Sequence, residues 1–111
     1  LLAMPAGREQ EAREFYGDVL QMNELPKPPA LATRGGCWFR AGNVELHLGV
    51  EADFRPAHKA HPALVVDDLD ALQMMLEARG LTCTRSDNER PGVFRFHTSD
   101  PFGNRIEFQQ A

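Results

Sequence analysis

Three side chains with metal-binding chemistry lie in or beside apolar strand patterns. Glu45 stands in the alternating run 44–50, Glu107 stands in the alternating run 105–109, and His61 directly precedes an apolar run. Because successive side chains of a strand point to opposite faces, both glutamates should lie opposite the apolar residues. One imidazole and two carboxylates form a mixed N/O donor set that suits a divalent first-row ion. We therefore predict that these three residues converge on one concave sheet face as a metal site.

Each predicted ligand also has an ordinary interpretation. A histidine at the start of a strand is often solvated or hydrogen-bonded, and a glutamate within a strand is often on the wet face of its sheet. The segment Asp100–Gly103 is most simply a type I turn, with Asp first, Pro second and Gly last. The metal hypothesis depends on the combination of the three residues at matching points of a repeat.

Four further side chains are candidates for contacts with a small molecule. His47 shares the strand face of Glu45 and can be an alternative ligand, a partner of a ligand or a substrate contact. Arg95 and His97 lie on the polar face of their strand, where Arg can hold a carboxylate or phosphate through two hydrogen bonds. Trp38 offers an apolar wall. The ordinary alternatives are a solvated strand face for the polar pair and core packing for the indole.

The elements that must position these side chains form an internal repeat. In the first half we predict strands at 1–4, 36–41 and 44–50 and a helix at 8–20; in the second half, strands at 62–66, 81–85, 93–98 and 105–109 and a helix at 68–79. This order predicts an α+β fold of paired βαβββ modules, 1–52 and 60–111, joined by a linker at about 53–59. The two half-sheets are expected to curl round a shared cleft, with the helices outside.

Composition excludes several function classes. The chain has 111 residues, a formal net charge of −4 and no long basic run, so a nucleic-acid partner is not expected. No apolar stretch approaches the roughly 20 residues that span a bilayer, so a membrane partner is not expected either. Two cysteines, Cys37 and Cys83, are too few for a disulfide scaffold. A cytoplasmic location is the simplest expectation.

Four segments form a recognisable series in this order and spacing: Glu-Ala-Arg-Glu-Phe-Tyr at 11–16, Val-Glu-Leu at 44–46, His-Pro-Ala-Leu-Val-Val-Asp at 61–67 and Asp-Pro-Phe-Gly-Asn-Arg-Ile-Glu-Phe at 100–108. Together they resemble the vicinal oxygen chelate superfamily, which includes glyoxalase I, bleomycin and fosfomycin resistance proteins and extradiol dioxygenases. The last segment is the most specific, and the resemblance covers nearly the whole chain.

The resemblance implies paired βαβββ modules, a homodimer that shares its sites, and a divalent ion such as Zn, Ni, Mn, Fe or Mg that chelates two neighbouring substrate oxygens. By the same resemblance, Glu45, His61 and Glu107 occupy three of the four usual metal positions, and Glu107 moves a proton during catalysis. Alignment of 2–5 with 64–67 puts the counterpart of His61 two positions before Leu1. Either the chain is trimmed at its front or the protein lacks this ligand.

Three functions are compatible with these features. The first is a metal-dependent lyase or isomerase acting on a small carbonyl or enolate-forming substrate. The second is a metal-free protein that sequesters a small molecule or an antibiotic, as in the bleomycin resistance branch, and the third is a domain whose main role is assembly with another chain. A dioxygenase is not favoured, because the sequence presents no complete set of two histidines and one carboxylate.

Overall fold

The chain folds as two units, and each contains one four-stranded sheet and a helix. The structure, a computed structural model, describes residues 1–111, and its units are Leu1–Pro56 and Ala57–Ala111. The elements of the first unit are β1 (Leu2–Met4), α1 (Glu9–Ala12) continued by a π-helix (Arg13–Val19), β2 (Asn23–Leu25), a 3₁₀ turn (Ala32–Arg34), β3 (Cys37–Ala41) and β4 (Val44–Val50). Those of the second are β5 (Ala63–Val66), α2 (Leu69–Ala78), β6 (Thr84–Asp87), β7 (Phe94–Ser99) and β8 (Arg105–Gln110).

The two sheets have the same connectivity, so the predicted βαβββ repeat is confirmed. Their strand orders are β1-β4-β3-β2 and β5-β8-β7-β6. In each sheet the first strand pairs in parallel with the last strand, and the other pairings are antiparallel.

Strand alternation separates an apolar face from a polar face in both sheets. In the first unit Leu46 and Leu48 are buried, and Tyr16 of the helix stacks on Phe39 with 5.6 Å between ring centroids. In the second unit the corresponding core is formed by residues that are almost fully buried: Leu69, Leu76, Phe96, Ile106 and Phe108. The intervening side chains of β4, β7 and β8 therefore point away from the core of their unit.

Two elements differ from the sequence prediction. The strand expected at 81–85 begins at Thr84, because the end of α2 takes up the preceding residues: Gly80 has φ +88° and the N–H of Leu81 donates to the carbonyl of Leu76. The third strand of the first unit, which the sequence left unplaced, is Asn23–Leu25. No helix of the described chain has both the length and the apolar character that a bilayer span requires.

Candidate functional site

The polar face of the second sheet carries a cluster of ionisable side chains. His97 on β7 lies directly opposite Glu107 on β8. His61 precedes β5, where the carbonyl of Pro62 accepts a hydrogen bond from the N–H of Glu107 at 3.0 Å. These pairings bring two imidazoles to one carboxylate.

A buried turn between β7 and β8 holds this arrangement in place. The Asp100 carboxylate accepts hydrogen bonds from the backbone N–H groups of Phe102 and Asn104 at 2.9 and 2.8 Å and from the Asn104 amide at 3.0 Å. The Asn104 side chain accepts a bond from the N–H of Ala57, and the carbonyl of Ala57 accepts one from the N–H of Arg105. The turn therefore ties the segment before His61 to the start of the strand that carries Glu107.

His61, His97 and Glu107 form the closest set of potential metal ligands. The Nε2 atoms of His61 and His97 lie 2.9 and 3.0 Å from Oε1 of Glu107, and one ligand atom from each residue lies within 4.8 Å of the others. The imidazole rings meet edge to face, with centroids 5.1 Å apart. This set corrects the expectation that the chain presents no complete group of two histidines and one carboxylate.

Glu107 is ionised in this environment although its side chain is only 4% exposed. Burial alone would raise its pKa, but hydrogen bonds from Gln109, His61 and Arg95 outweigh burial and lower the pKa to about 2. Gln109 Nε2 lies 2.6 Å from one carboxylate oxygen, and an Arg95 nitrogen lies 3.3 Å from the same oxygen. Glu107 is therefore a negative, acceptor-only centre among four donors, the fourth being His97.

Both histidines face the Glu107 carboxylate with their Nε2 atoms. His61 Nδ1 lies 2.8 Å from the carbonyl oxygen of Lys59, so both ring nitrogens face an acceptor. A neutral imidazole has one N–H and satisfies only one of them, whereas a second proton or a bound cation satisfies both. Burial, followed by the charge of Arg105, lowers the pKa of His97 and favours its neutral form, which can ligate a metal.

The polar face of the first sheet carries the other predicted site residues. Trp38 stacks on His47, with 3.7 Å between ring centroids and 1° between the ring planes. Glu45 lies 2.7 Å from His47 Nε2 and accepts a bond of 2.7 Å from Arg40. The bonds from His47 and then Arg40 lower the pKa of Glu45. These residues lie in the first unit, so their role beside His61 and Glu107 stays a prediction.

The strand register decides which position of the first sheet corresponds to Glu107. Leu2 pairs with Leu48, and its repeat counterpart Leu64 pairs with Phe108. Counting back one residue along each last strand makes His47, not Glu45, the counterpart of Glu107. By the same register, the counterparts of His97 and Arg105 are Trp38 and Glu45.

His97 differs from its predicted role. It was predicted as a substrate contact, and the structure places it among the potential ligands. The Asp100–Gly103 turn already predicts its position. If the two strands that flank this turn pair residue by residue away from it, His97 lies opposite Glu107. Arg95, also predicted as a substrate contact, contacts Glu107 as well.

Comparison with known proteins identifies the fold. A glyoxalase family protein from Bacillus anthracis is 51% identical, with a TM-score of 0.93 over 98% of this chain and 88% of that chain. A lactoylglutathione lyase from Agrobacterium tumefaciens is 21% identical, with a TM-score of 0.73 over 100% and 92% of the two chains. TnmS3, an antibiotic-binding protein from Streptomyces sp. CB03234, is 23% identical, with a TM-score of 0.72 over 98% and 91%.

No curated protein matches the sequence. The sequence profile of one family covers residues 2–108, and the two βαβββ sheets match the fold of the solved structures. The chain belongs to the Glyoxalase/Bleomycin resistance protein/Dioxygenase superfamily.

Proposed function

We propose that the protein is a divalent-metal-dependent lyase or isomerase of the glyoxalase type, acting on a small oxygenated substrate that forms an enolate or carries a carbonyl group. The observation that carries the proposal is the convergence of His61, His97 and Glu107, with ligand atoms within 4.8 Å of one another. The lactoylglutathione lyase among the structures of the same fold is consistent with this class of reaction.

The donor set fits a divalent ion of the first transition row. Two imidazoles and one carboxylate suit Zn, Ni, Mn or Fe better than Mg, which prefers oxygen ligands alone. The carbonyl of Lys59 holds the ring of His61 so that Nε2 faces Glu107, as outer hydrogen bonds do for ligating histidines. A bound ion would act as a Lewis acid and stabilise negative charge on substrate oxygens.

The residues around Glu107 suggest how the protein itself would take part in proton transfer. In the described network Glu107 is ionised and its carboxylate is occupied by donors, so it can take up a substrate proton only as some of those donors turn away. Arg95 on β7 donates to Glu107 from one side of β8, whereas His61 contacts it from the side of β5. Arg95 thereby holds the carboxylate in position. Glu107 is therefore proposed both as a ligand and as the proton carrier.

The predicted homodimer and cytoplasmic location belong to the same proposal. Val65 on an edge strand and Met74 on α2 are 64% and 72% exposed, and a second copy could cover such apolar side chains. Cys37 and Cys83 are free thiols, which favours a reducing compartment.

A metal-free binding protein is the second candidate, because the buried polar side chains find hydrogen-bond partners within the chain itself. No buried side-chain nitrogen or oxygen lacks a hydrogen-bond partner. In the first unit, the stacked Trp38 and His47 rings form a flat aromatic surface that could bind a ligand. TnmS3, an antibiotic-binding protein, has the same fold.

Metal binding separates the two candidates. Elemental analysis of protein purified without chelator, followed by titration of the chelator-treated chain with Zn²⁺ and Ni²⁺, should reveal one tight site. Glu107→Gln keeps the side-chain size but removes the charge, and should weaken metal affinity by at least about 100-fold. Glu77→Gln on the exposed face of α2 is the matched control and should leave affinity unchanged. Equal affinity in Glu107→Gln and the unaltered chain, or no metal binding at all, would reject the enzyme proposal in favour of sequestration.

A further inference from the structure

A surface pocket of about 310 Å³ lies beside the His61, His97 and Glu107 cluster, within the second unit. Its lining residues include His97, Arg105, His58, Thr84 and Ser99. We refer to it as the Arg105 pocket. Its volume is at the lower end of the range for small-molecule sites. The Arg105 guanidinium, the His58 imidazole and the hydroxyls of Thr84 and Ser99 are groups that can donate hydrogen bonds, and no carboxylate lines the pocket.

Arg105 differs from the other partly buried arginines in lacking a counter-ion. Arg85 and Arg95 each pair with two carboxylates. Arg105 has no carboxylate oxygen within 4.0 Å, and its side chain makes no hydrogen bond. A partly desolvated cation without a partner is unfavourable, and an anion from outside the chain would relieve that cost.

The position of Arg105 relates the pocket to the metal-ligand cluster. Arg105 and Glu107 alternate on the same face of β8, and Ser99 and His97 lie opposite them on β7. Two residues along a strand span roughly 7 Å. A molecule whose charged group reaches Arg105 would therefore place atoms about 7 Å away in front of Glu107 and His97.

We propose that the Arg105 pocket binds an oxyanion group of the substrate, a carboxylate or a phosphate, while the oxygenated reacting part of the same molecule faces His61, His97 and Glu107. This inference rests on the proposed function, since it assigns a substrate class to that site: small anions whose charged group lies a few bonds from the reacting oxygens. Arg105 contributes two parallel N–H donors, and Thr84, Ser99 and His58 surround the remaining anion oxygens.

The test measures binding of two probes, inorganic phosphate and acetate, to the chelator-treated full chain by NMR titration. Chelation removes metal, so anion binding is observed independently of the proposed ion. We expect saturable shifts of the Thr84 and Ser99 amide signals and a loss of affinity of at least about tenfold in Arg105→Gln. Arg90→Gln removes an exposed arginine that has no ion-pair partner, and should bind both probes as the unaltered chain does. Tighter binding of phosphate would indicate a phosphorylated substrate, and tighter binding of acetate a carboxylate substrate.

Two outcomes would overturn the inference: equal affinity of the unaltered chain and Arg105→Gln, or no saturable binding of either probe. Arg105→Lys keeps the charge but loses the two-point geometry and should bind more weakly than the unaltered chain, which keeps the test valid if Arg105→Gln does not fold. Metal affinity is measured separately on the same variants, because the charge of Arg105 also lowers the pKa of His97. Anion binding that depends on Arg105, in a chain that binds no metal, would reject the enzyme proposal and leave the pocket assignment standing.

Discussion

The two units place different chemistry at equivalent positions of their two sheets. In the second unit the central pair of facing side chains is His97 and Glu107, an imidazole and an ionised carboxylate. In the first unit the equivalent pair is Trp38 and His47, whose rings lie face to face. Strand pairing thus determines where a side chain points but leaves its chemistry free to diverge, so one half can carry charge while the other carries an aromatic surface.

Glu107 and Glu45 differ in burial and in the number of hydrogen bonds that they accept. The side chain of Glu107 is 4% exposed and has four side-chain donors, whereas that of Glu45 is 35% exposed and has two. Electrostatic interactions are weak in water and stronger where water is excluded. Their effect on the fold should therefore differ widely, and this contrast can be tested directly.

The largest expected effect on stability comes from removing Glu107, and removal of Glu45 is the matched comparison. Glu107→Ala leaves Arg95, His61 and His97 without their shared acceptor and should lower the free energy of unfolding by about 3–5 kcal/mol. Glu45→Ala removes a solvated pair and should cost much less. Urea unfolding of the chelator-treated variants, followed by circular dichroism, measures both values. Equal losses would contradict the contrast between the two sheets.

Acid should destabilise the protein mainly through Glu107. Its pKa lies at about 2 in the folded state against an ordinary value of 4.5, so its stabilising contribution is complete above pH 4.5 and is lost as the pH falls towards 2. The loss is on the order of 3 kcal/mol. Urea midpoints recorded from pH 7 down to pH 2 should fall less steeply in Glu107→Gln. An identical pH profile for the variant and the unaltered chain would assign acid sensitivity to other groups.

The turns of the two hairpins next to these sites should also contribute unequally to the free energy of unfolding. Asp100 is 5% exposed and accepts several bonds, so Asp100→Ala orphans buried N–H groups and should cost about 2 kcal/mol. Asn43→Ala, in the exposed turn between β3 and β4, should cost less than about 0.5 kcal/mol. Thermal unfolding provides the comparison. A smaller loss for Asp100→Ala than for Asn43→Ala would show that the buried turn does not hold β8.

A further contrast concerns the aromatic pair of the first sheet, whose loss should cost less than that of Glu107 or Asp100. His47→Ala removes the ring stacked on Trp38 and should cost about 1 kcal/mol. Trp38 is the only tryptophan, so its fluorescence reports this contact without interference. We expect the emission maximum to shift to longer wavelength as water reaches the exposed indole face. Unchanged emission in the variant would mean that the two rings are not stacked in solution.

Periodicity was sufficient to predict the repeat and the polar faces of the strands, because alternation of apolar residues is a local signal. It did not distinguish Glu45 from His47, which lie two residues apart on one face. That choice depends on register, which is a property of paired strands. The π-helix and the three-residue β2 also depend on partners elsewhere in the chain, so a local pattern could not place them.

The contiguity of each sheet has a consequence for synthesis on the ribosome. All strand pairings of the first sheet join residues between Leu2 and Val50, and all those of the second join residues between Ala63 and Gln110. Every strand of the first sheet has therefore been translated before the second sheet begins. Its ladders can form while the remaining half is still being made, which limits the time that a half-finished nascent chain exposes unpaired strands to aggregation.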